Sequence, residues 1–304
     1  MSIFAAEMEK IHRSGYIHLF GNPNVGKSSL VKAFCGQKLA IISERPQTTR
    51  HRIFIIYNDE SHQAIFSDAP GRIKNPQYKL QERMNMQAHI GTKDADLLLF
   101  CTTPAEPIDQ DIIFSLTKCS MPVWLVVNKS DLFSEGKTQE CIDQWNKLYP
   151  FGKTYHVSAL TMDSIPPLLK DILEALPEGP AYYPKEDMSD RHERFFVAEI
   201  IREHIFGLFH DEIPYSCEVQ VNDYKETVSK EGKPFARIFV YIIVERESQK
   251  GILLGQKGET IKELGIQARQ QIESFLGHQV YLDLQIKVEK NWRNNPEVLK
   301  KYGY

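Results

Sequence analysis

The sequence predicts an α/β domain, a mostly parallel sheet with helices on both faces, followed by a smaller α+β domain. Three observations carry that prediction. Gly21-Asn22-Pro23-Asn24-Val25-Gly26-Lys27-Ser28 is a complete G-x-x-x-x-G-K-S phosphate loop. Asn128-Lys129-Ser130-Asp131 directly follows the apolar run Val123-Trp124-Leu125-Val126-Val127, which reads as a buried parallel strand. Beyond a proline-rich break near residue 177, Gly255-Gln256-Lys257-Gly258 joins two helical runs.

The phosphate loop has the flanks it needs. Residues 16–20 are strand-like and residues 29–34 are helix-like. Glycines let the backbone curl so that its N–H groups face phosphate, and the helix N-terminus adds positive potential. Lys27 is expected at the β- and γ-phosphates and the Ser28 hydroxyl on Mg²⁺. Gly21, Asn22, Asn24, Val25, Gly26 and Ser29 complete that cradle. Next comes the polar stretch Pro46-Gln47-Thr48-Thr49-Arg50, ahead of a strand over 52–57. Its Thr49 hydroxyl can serve the metal in the triphosphate state. A second strand over 63–67 leads into Asp68-Ala69-Pro70-Gly71. Asp68 at the strand end can hold Mg²⁺ through water, and the Gly71 N–H can sense a γ-phosphate.

The Asn128–Asp131 tetrad sits at a strand's carboxyl end, where open α/β sheets bind ligands. An Asp131 carboxylate there accepts two hydrogen bonds from guanine N1–H and its 2-amino group, a donor pair that adenine lacks. Asn128 can brace neighbouring loops, and the Lys129 stem can lie along the base. Val157-Ser158-Ala159-Leu160 follows a strand over 154–156, so that Ser158, Ala159 and Leu160 can close over the base.

These five elements resemble a translation-factor-type GTPase. Gln47-Thr48-Thr49-Arg50-His51-Arg52, Asp68-x-Pro70-Gly71 and the C-terminal half together look like the Era family of ribosome-assembly GTPases, from about Gly15 to Tyr304. The resemblance implies GTP hydrolysis to GDP and phosphate, with Lys27, Thr49 and Gly71 at the reacting end. It also implies binding to the 3′ end of 16S ribosomal RNA and assistance to small ribosomal subunit assembly. Asn24 stands where several related GTPases carry an Asn that helps bind K⁺, which suggests potassium-stimulated turnover. Many GTPases place a water-orienting Gln directly after the Asp-x-x-Gly tetrad. Here that residue is Arg72, which donates hydrogen bonds and cannot accept one from water. Era-like proteins generally lack the Gln as well, so slow intrinsic hydrolysis is expected. Arg72 reads either as a solvated loop residue, the preferred alternative, or as a finger on the γ-phosphate.

The domain boundaries follow from composition. The first domain runs over 1–176 and ends on a helix at 164–176. Pro177-Glu178-Gly179-Pro180-Ala181-Tyr182-Tyr183-Pro184 cannot continue it, so 177–190 reads as a linker. Residues 191–304 show a helix over 191–209, strands over 215–221 and 235–244, and then the G-x-x-G turn. Helix, two strands, two helices joined by G-x-x-G, helix and strand resembles a type II KH domain. Such a turn lets single-stranded RNA backbone approach closely, with Lys257 meeting phosphate. Gly255, Gln256, Lys257 and Gly258, with Arg246, Lys250 and Lys262 around them, are the expected RNA contacts. Ile252, Leu254, Ile261 and Ile266 would wall the groove, although at least half of them are expected to be ordinary core. Trp292 reads equally as a base-stacking ring and as a core cap.

Composition excludes more than it proves. The net charge is −3, and residues 191–304 balance seventeen basic against seventeen acidic side chains, so bulk electrostatics makes no case for RNA. Charges such as Lys287, Lys290 and Arg293 would have to act locally. The five cysteines show no C-x-x-C pair and read as buried thiols in a reducing cytosol. Glu7, Glu9 and Lys10 interrupt any signal-peptide core, and no run of eighteen apolar residues spans a membrane. The expectation is a cytoplasmic monomer, with any inner-membrane association peripheral. The ten histidines show no metal-binding spacing, and His89 and His204 fall on helical runs. Two other functions are weighed: an RNA-binding scaffold that holds GTP with little turnover, and a phosphate-loop kinase, which would have no need of a guanine reader.

Overall fold

Apolar runs in the first half of the chain assemble into a six-stranded sheet. The computed structural model describes residues 11–36, 45, 47–228 and 231–304; the rest, including Glu7, Glu9, Lys10 and Pro46, lie outside the described residues. The described residues fall into two compact units. One is drawn from Met1–Gln37, Ile53–Ala69 and His89–Asp190, the other from Lys38–Arg52, Pro70–Ala88 and Arg191–Tyr304.

In the first unit the strands are β1 (Arg13–Phe20), β2 (Ile53–Asn58), β3 (His62–Asp68), β4 (Leu97–Thr102), β5 (Val123–Val127) and β6 (Thr154–His156), ordered β2-β3-β1-β4-β5-β6. Only the β2–β3 hairpin is antiparallel. Strands β4 and β5 are buried along their whole length, as parallel strands covered on both faces must be. Helices α1 (Lys27–Cys35), α3 (Gln110–Leu116), α4 (Glu135–Leu148) and α5 (Ile165–Ala175) belong to this unit, while the division between the units falls inside α2 (Lys79–Asp94). Phe20, Phe100, Leu125 and Trp145 share one core cluster. Strand order reverses on either side of β1, so the loop after β1 opens at a topological switch point.

Residues 177–190 are strapped to this sheet. Ser14 N–H donates to the Pro177 carbonyl at 3.0 Å, and Gln63 Oε1 accepts from the N–H groups of Tyr182 and Tyr183 at 2.7 and 2.9 Å. Ile55 bridges Ser189, which covers the β2 edge.

The second unit pairs β7 (Glu218–Val228) antiparallel to β8 (Pro234–Val244) and β8 parallel to β9 (Gln279–Val288). Along β8 the alternate residues Ala236, Ile238, Val240, Ile242 and Val244 are buried. They share a core with Val197, Ile201 and Ile205 of α6 (Glu193–Leu208) and Leu264, Ala268 and Ile272 of α9 (Glu259–Leu276). Two expectations need correction, and one open alternative closes. Residues 215 and 216 lie in a short helix, α7 (Ile213–Ser216), because Pro214 presets helical φ at its start; the strand begins only at Glu218. No helix intervenes between the G-x-x-G pair, α8 (Glu247–Leu254) and α9, and β9; the chain turns at Gly277 straight into that strand. Trp292 is fully buried beside Leu80, Met84, Leu299 and Tyr302, and its Nε1–H donates to the Ser216 carbonyl at 3.0 Å. It is core, and truncating it to Ala should cost about 3–5 kcal/mol.

Candidate functional site

In the first unit, the turn after β1 is built on residues with positive φ: Asn24 at 63° and Gly26 at 91°. Gly26 is also sterically required, since a Cβ there would lie 2.2 Å from Asn128 Nδ2. Lys27 opens α1 almost fully buried, and its Nζ donates to the carbonyls of Asn22 at 2.8 Å and Gly21 at 3.2 Å. Burial lowers the pKa of that ammonium, and opposing charges, Asp68 first and then others including Glu106, work against the shift. Val25 is buried, while Asn22 and Ser29 are half-buried. Asn22 Nδ2 donates to Glu106 Oε2 at 2.7 Å, a brace that sequence reasoning missed because nothing local marks Glu106.

Asp68 ends β3 with no exposed surface, and Ser28 Oγ donates to its Oδ2 at 2.7 Å. A hydroxyl and a buried carboxylate side by side are the hard oxygen donors that suit Mg²⁺, which keeps further ligands from water and phosphate. These residues fit the metal.

At the end of β5, Asn128 ties three loops together. Its Nδ2 donates to the Val25 carbonyl at 2.9 Å, its Oδ1 accepts from Ala159 N–H at 3.2 Å, and its own N–H donates to the Thr102 carbonyl at 2.8 Å. Lys129 takes φ 61° and reaches Asn24 Oδ1 at 3.5 Å. Asp131 stands exposed in a 3-10 turn, Ser130–Leu132. Ser130 N–H donates to the Val157 carbonyl at 3.1 Å; Ser158 is buried, Ala159 half-buried and Leu160 82% exposed. The phosphate loop, Asp68, the Asn128 tetrad and Ser158–Leu160 are thus brought together. Thr49, Gly71 and Arg72 belong to the second unit, where Thr49 and Arg72 are half-buried and Gly71 is buried.

In that unit α8 closes with Gly255 N–H on the Gly251 carbonyl at 3.0 Å. Gly255, Lys257 and Gly258 all take positive φ, 71°, 51° and 80°, which turns the chain sharply into α9. Arg246, Gln256, Lys257 and Lys262 are exposed and Lys250 is half-buried. Ile252, Leu254 and Ile266 are 53%, 37% and 44% exposed, and Ile261 is half-buried. The expectation that at least half of these four would be core fails. The core positions are Leu253 on α8 and Leu264, Ala268 and Ile272 on α9, four residues apart, which leaves their neighbours facing solvent. An exposed apolar strip therefore lies beside the G-x-x-G turn.

A buried charge network in the second unit also went unread. Arg50 donates to the carbonyls of Cys217 and Pro214 at 2.7 and 2.9 Å and to Glu218 Oε2 at 3.3 Å. Arg202 was detectable: it is the one basic side chain among the buried residues of α6, where Phe196, Val197, Ile200, Ile201, Ile205 and Phe206 are apolar. Among the described residues no helix is long and apolar enough to cross a membrane.

Comparison with known proteins decides the family. Residues 16–129 match the model described as 50S ribosome-binding GTPase, and residues 212–293 match the KH domain. A GTPase Era of Geotalea uraniireducens is 42% identical over 299 residues, covering 97% of this chain and 99% of its own. The chain belongs to the Era GTPase family. The maize chloroplastic GTPase ERA1 is likewise 42% identical, over 96% of this chain and 71% of its own. An Aquifex aeolicus Era variant bound to GDP–AlF4⁻ superposes with a TM-score of 0.90 at 35% identity, covering 96% of this chain and 99% of its own. Era in complex with MgGDPNP and nucleotides 1506-1542 of 16S ribosomal RNA gives the same TM-score, identity and coverage. As an Era GTPase the chain binds guanine nucleotide and hydrolyses GTP, with a phosphate-loop domain ahead of a KH domain.

Proposed function

We propose that this Era GTPase is a nucleotide-dependent grip on the 3′ end of 16S ribosomal RNA that assists small-subunit assembly. One observation carries the reading: the chain matches, over nearly its whole length, the relative bound to both MgGDPNP and a 16S fragment. The phosphate-loop family name mentions the 50S particle, but that model covers only residues 16–129 and leaves out the KH domain. The exposed apolar strip beside Gly255–Gly258, with Lys257 and Lys262 near it, supports a groove for unstacked bases.

On this reading each site residue has a role. Lys27 and the loop N–H groups hold the phosphates, and Ser28 and Asp68 hold Mg²⁺, which neutralises charge on the phosphoryl group when bound. Thr49 and Gly71 answer to the γ-phosphate, and Asp131 reads guanine within the frame that Asn128 sets. Lacking a Gln at Arg72, intrinsic hydrolysis is slow. A potassium ion at Asn24 would supply positive charge there, displacing the Lys129 contact to Asn24 Oδ1. The protein works in the cytoplasm as a monomer, and any membrane contact is peripheral. Crosslinking to total cellular RNA with and without a non-hydrolysable GTP analogue tests the reading. Enrichment of the 16S 3′ end only with the analogue is expected; enrichment of other RNA, or none, contradicts it.

A further inference from the structure

Three residues flanking Thr49, namely Thr48, Arg50 and His51, are held by different parts of the second unit. The Thr48 carbonyl accepts from Arg202 Nη1 on α6 at 2.5 Å. Arg50 fans across the α7–β7 junction onto the Pro214 and Cys217 carbonyls and Glu218. The His51 ring stacks on Tyr304, with centroids 4.2 Å apart and planes inclined by 16°. Two carboxylates complete the arrangement. Glu218 Oε2 also accepts from the Tyr304 hydroxyl at 2.7 Å, and Glu199 accepts from Arg202 at 2.9 and 2.5 Å.

Packing alone does not call for this chemistry. Arg50 and Arg202 are each 2% exposed, and burying a guanidinium carries a desolvation cost that apolar side chains of similar size avoid. A planar fork with five fixed donors, however, sets the direction of a backbone as well as its position. Here both forks act on main-chain carbonyls, one on the residue before Thr49 and one from the residue after it.

We propose that Arg50 and Arg202 are positioning residues for GTP hydrolysis, fixing the backbone on either side of Thr49. The inference rests on the role given to Thr49 in the proposed function. With its neighbours anchored, Thr49 moves only as α6, the α7–β7 junction or the C-terminal Tyr304 move. Turnover then depends on residues more than 150 positions away in sequence.

The test measures kcat, KM and the affinities for GDP and a non-hydrolysable GTP analogue in the full chain and in Arg50→Lys, Arg202→Lys and Tyr304→Phe. Each lysine variant keeps its charge and loses its fork. Turnover should fall about tenfold in both, with analogue affinity weakened relative to GDP affinity. Tyr304→Phe removes one hydroxyl, keeps the ring on His51 and folds most readily; its kcat should fall about two- to threefold with GDP affinity unchanged. Unaltered kcat and an unaltered analogue-to-GDP ratio in all three would overturn the proposal. So would GDP and analogue affinities falling in parallel, the mark of a purely structural role. Lys27→Ala is run alongside: persistent turnover there would show that the activity arises elsewhere, and the proposal would fall with the reading beneath it.

Discussion

At the phosphate loop, Gly26 has φ 91° and no room for a Cβ, which would sit 2.2 Å from the Asn128 amide. At the G-x-x-G turn, Gly258 has φ 80° and open space, with the nearest atom to an added Cβ, Ile261 Cγ2, 4.0 Å away. The two lysines differ in the same sense. Lys27 is buried against two carbonyls, whereas Lys257 is exposed. One glycine turn is locked by Asn128 from another loop; the other closes on its own helix at Gly255, where a Cβ would lie 2.0 Å from Thr260 Oγ1, and is open at Gly258. A cage suits a ligand of fixed length such as a nucleotide polyphosphate. An open turn beside an apolar strip suits a chain that continues past it in both directions. On the proposed function phosphate recognition is common to both, and enclosure is what separates an enzyme site from a binding groove.

The comparison breaks first at Lys27. Lys27→Ala should reduce GTP turnover by about a thousandfold or more in a phosphate-release assay, since a preorganised charge in a buried site has no substitute. Asp131→Asn should weaken GTP about a hundredfold and favour xanthosine triphosphate, because two hydrogen bonds to a charged group are lost or reversed. Unchanged GTP affinity would remove the guanine assignment. The open turn should respond more gently. Lys257→Ala should weaken RNA about three- to tenfold and lower the salt slope of binding by about one, in a titration from low to moderate KCl. Replacing NaCl by KCl at equal ionic strength should raise turnover about threefold, and Asn24→Ala should erase the difference.

The smallest expected effect is on stability. Burial first, and then the charges of Arg202, Arg191 and Arg50, push His51 down to about 3. The unfolded chain takes up this proton as pH falls below about 6.5, while the folded chain does so only near 3. The His51 contribution is therefore complete above pH 6.5 and is lost as pH falls, by at most ~1.4 kcal/mol per pH unit. Glu218, raised by burial against the pull of Arg50, works in the opposite sense. Comparing urea unfolding of the parent and His51→Phe at pH 7 and 5 isolates the His51 part. The stability gap should narrow at the lower pH.

Much of the first unit was legible because its signals are local. A glycine-rich loop, a strand-end Asp68 and an Asn128–Asp131 tetrad each need only their flanking strand and helix to be placed. The bracing role open to Asn128 has its counterpart in bonds to Val25 and Ala159. The second unit was less legible because its decisive contacts are long-range. No local pattern pairs Arg50 with Glu218 or His51 with Tyr304, which meet across more than 160 residues. Trp292 had no periodic neighbours to show which way it faced, and its burial depends on Leu80 and Met84 from a distant segment. The expectation that at least half of Ile252, Leu254, Ile261 and Ile266 would be core failed for another reason: Leu253 and Leu264 already fill the core stripe of each helix.

The most direct measurement is the affinity of a labelled 16S 3′-end RNA for the full chain, by fluorescence anisotropy, with Mg²⁺ and either GDPNP or GDP. The account predicts binding at least about tenfold tighter with GDPNP, a coupling of about 1.4 kcal/mol. Equal affinity in the two states, or no binding to this RNA in either, would contradict it.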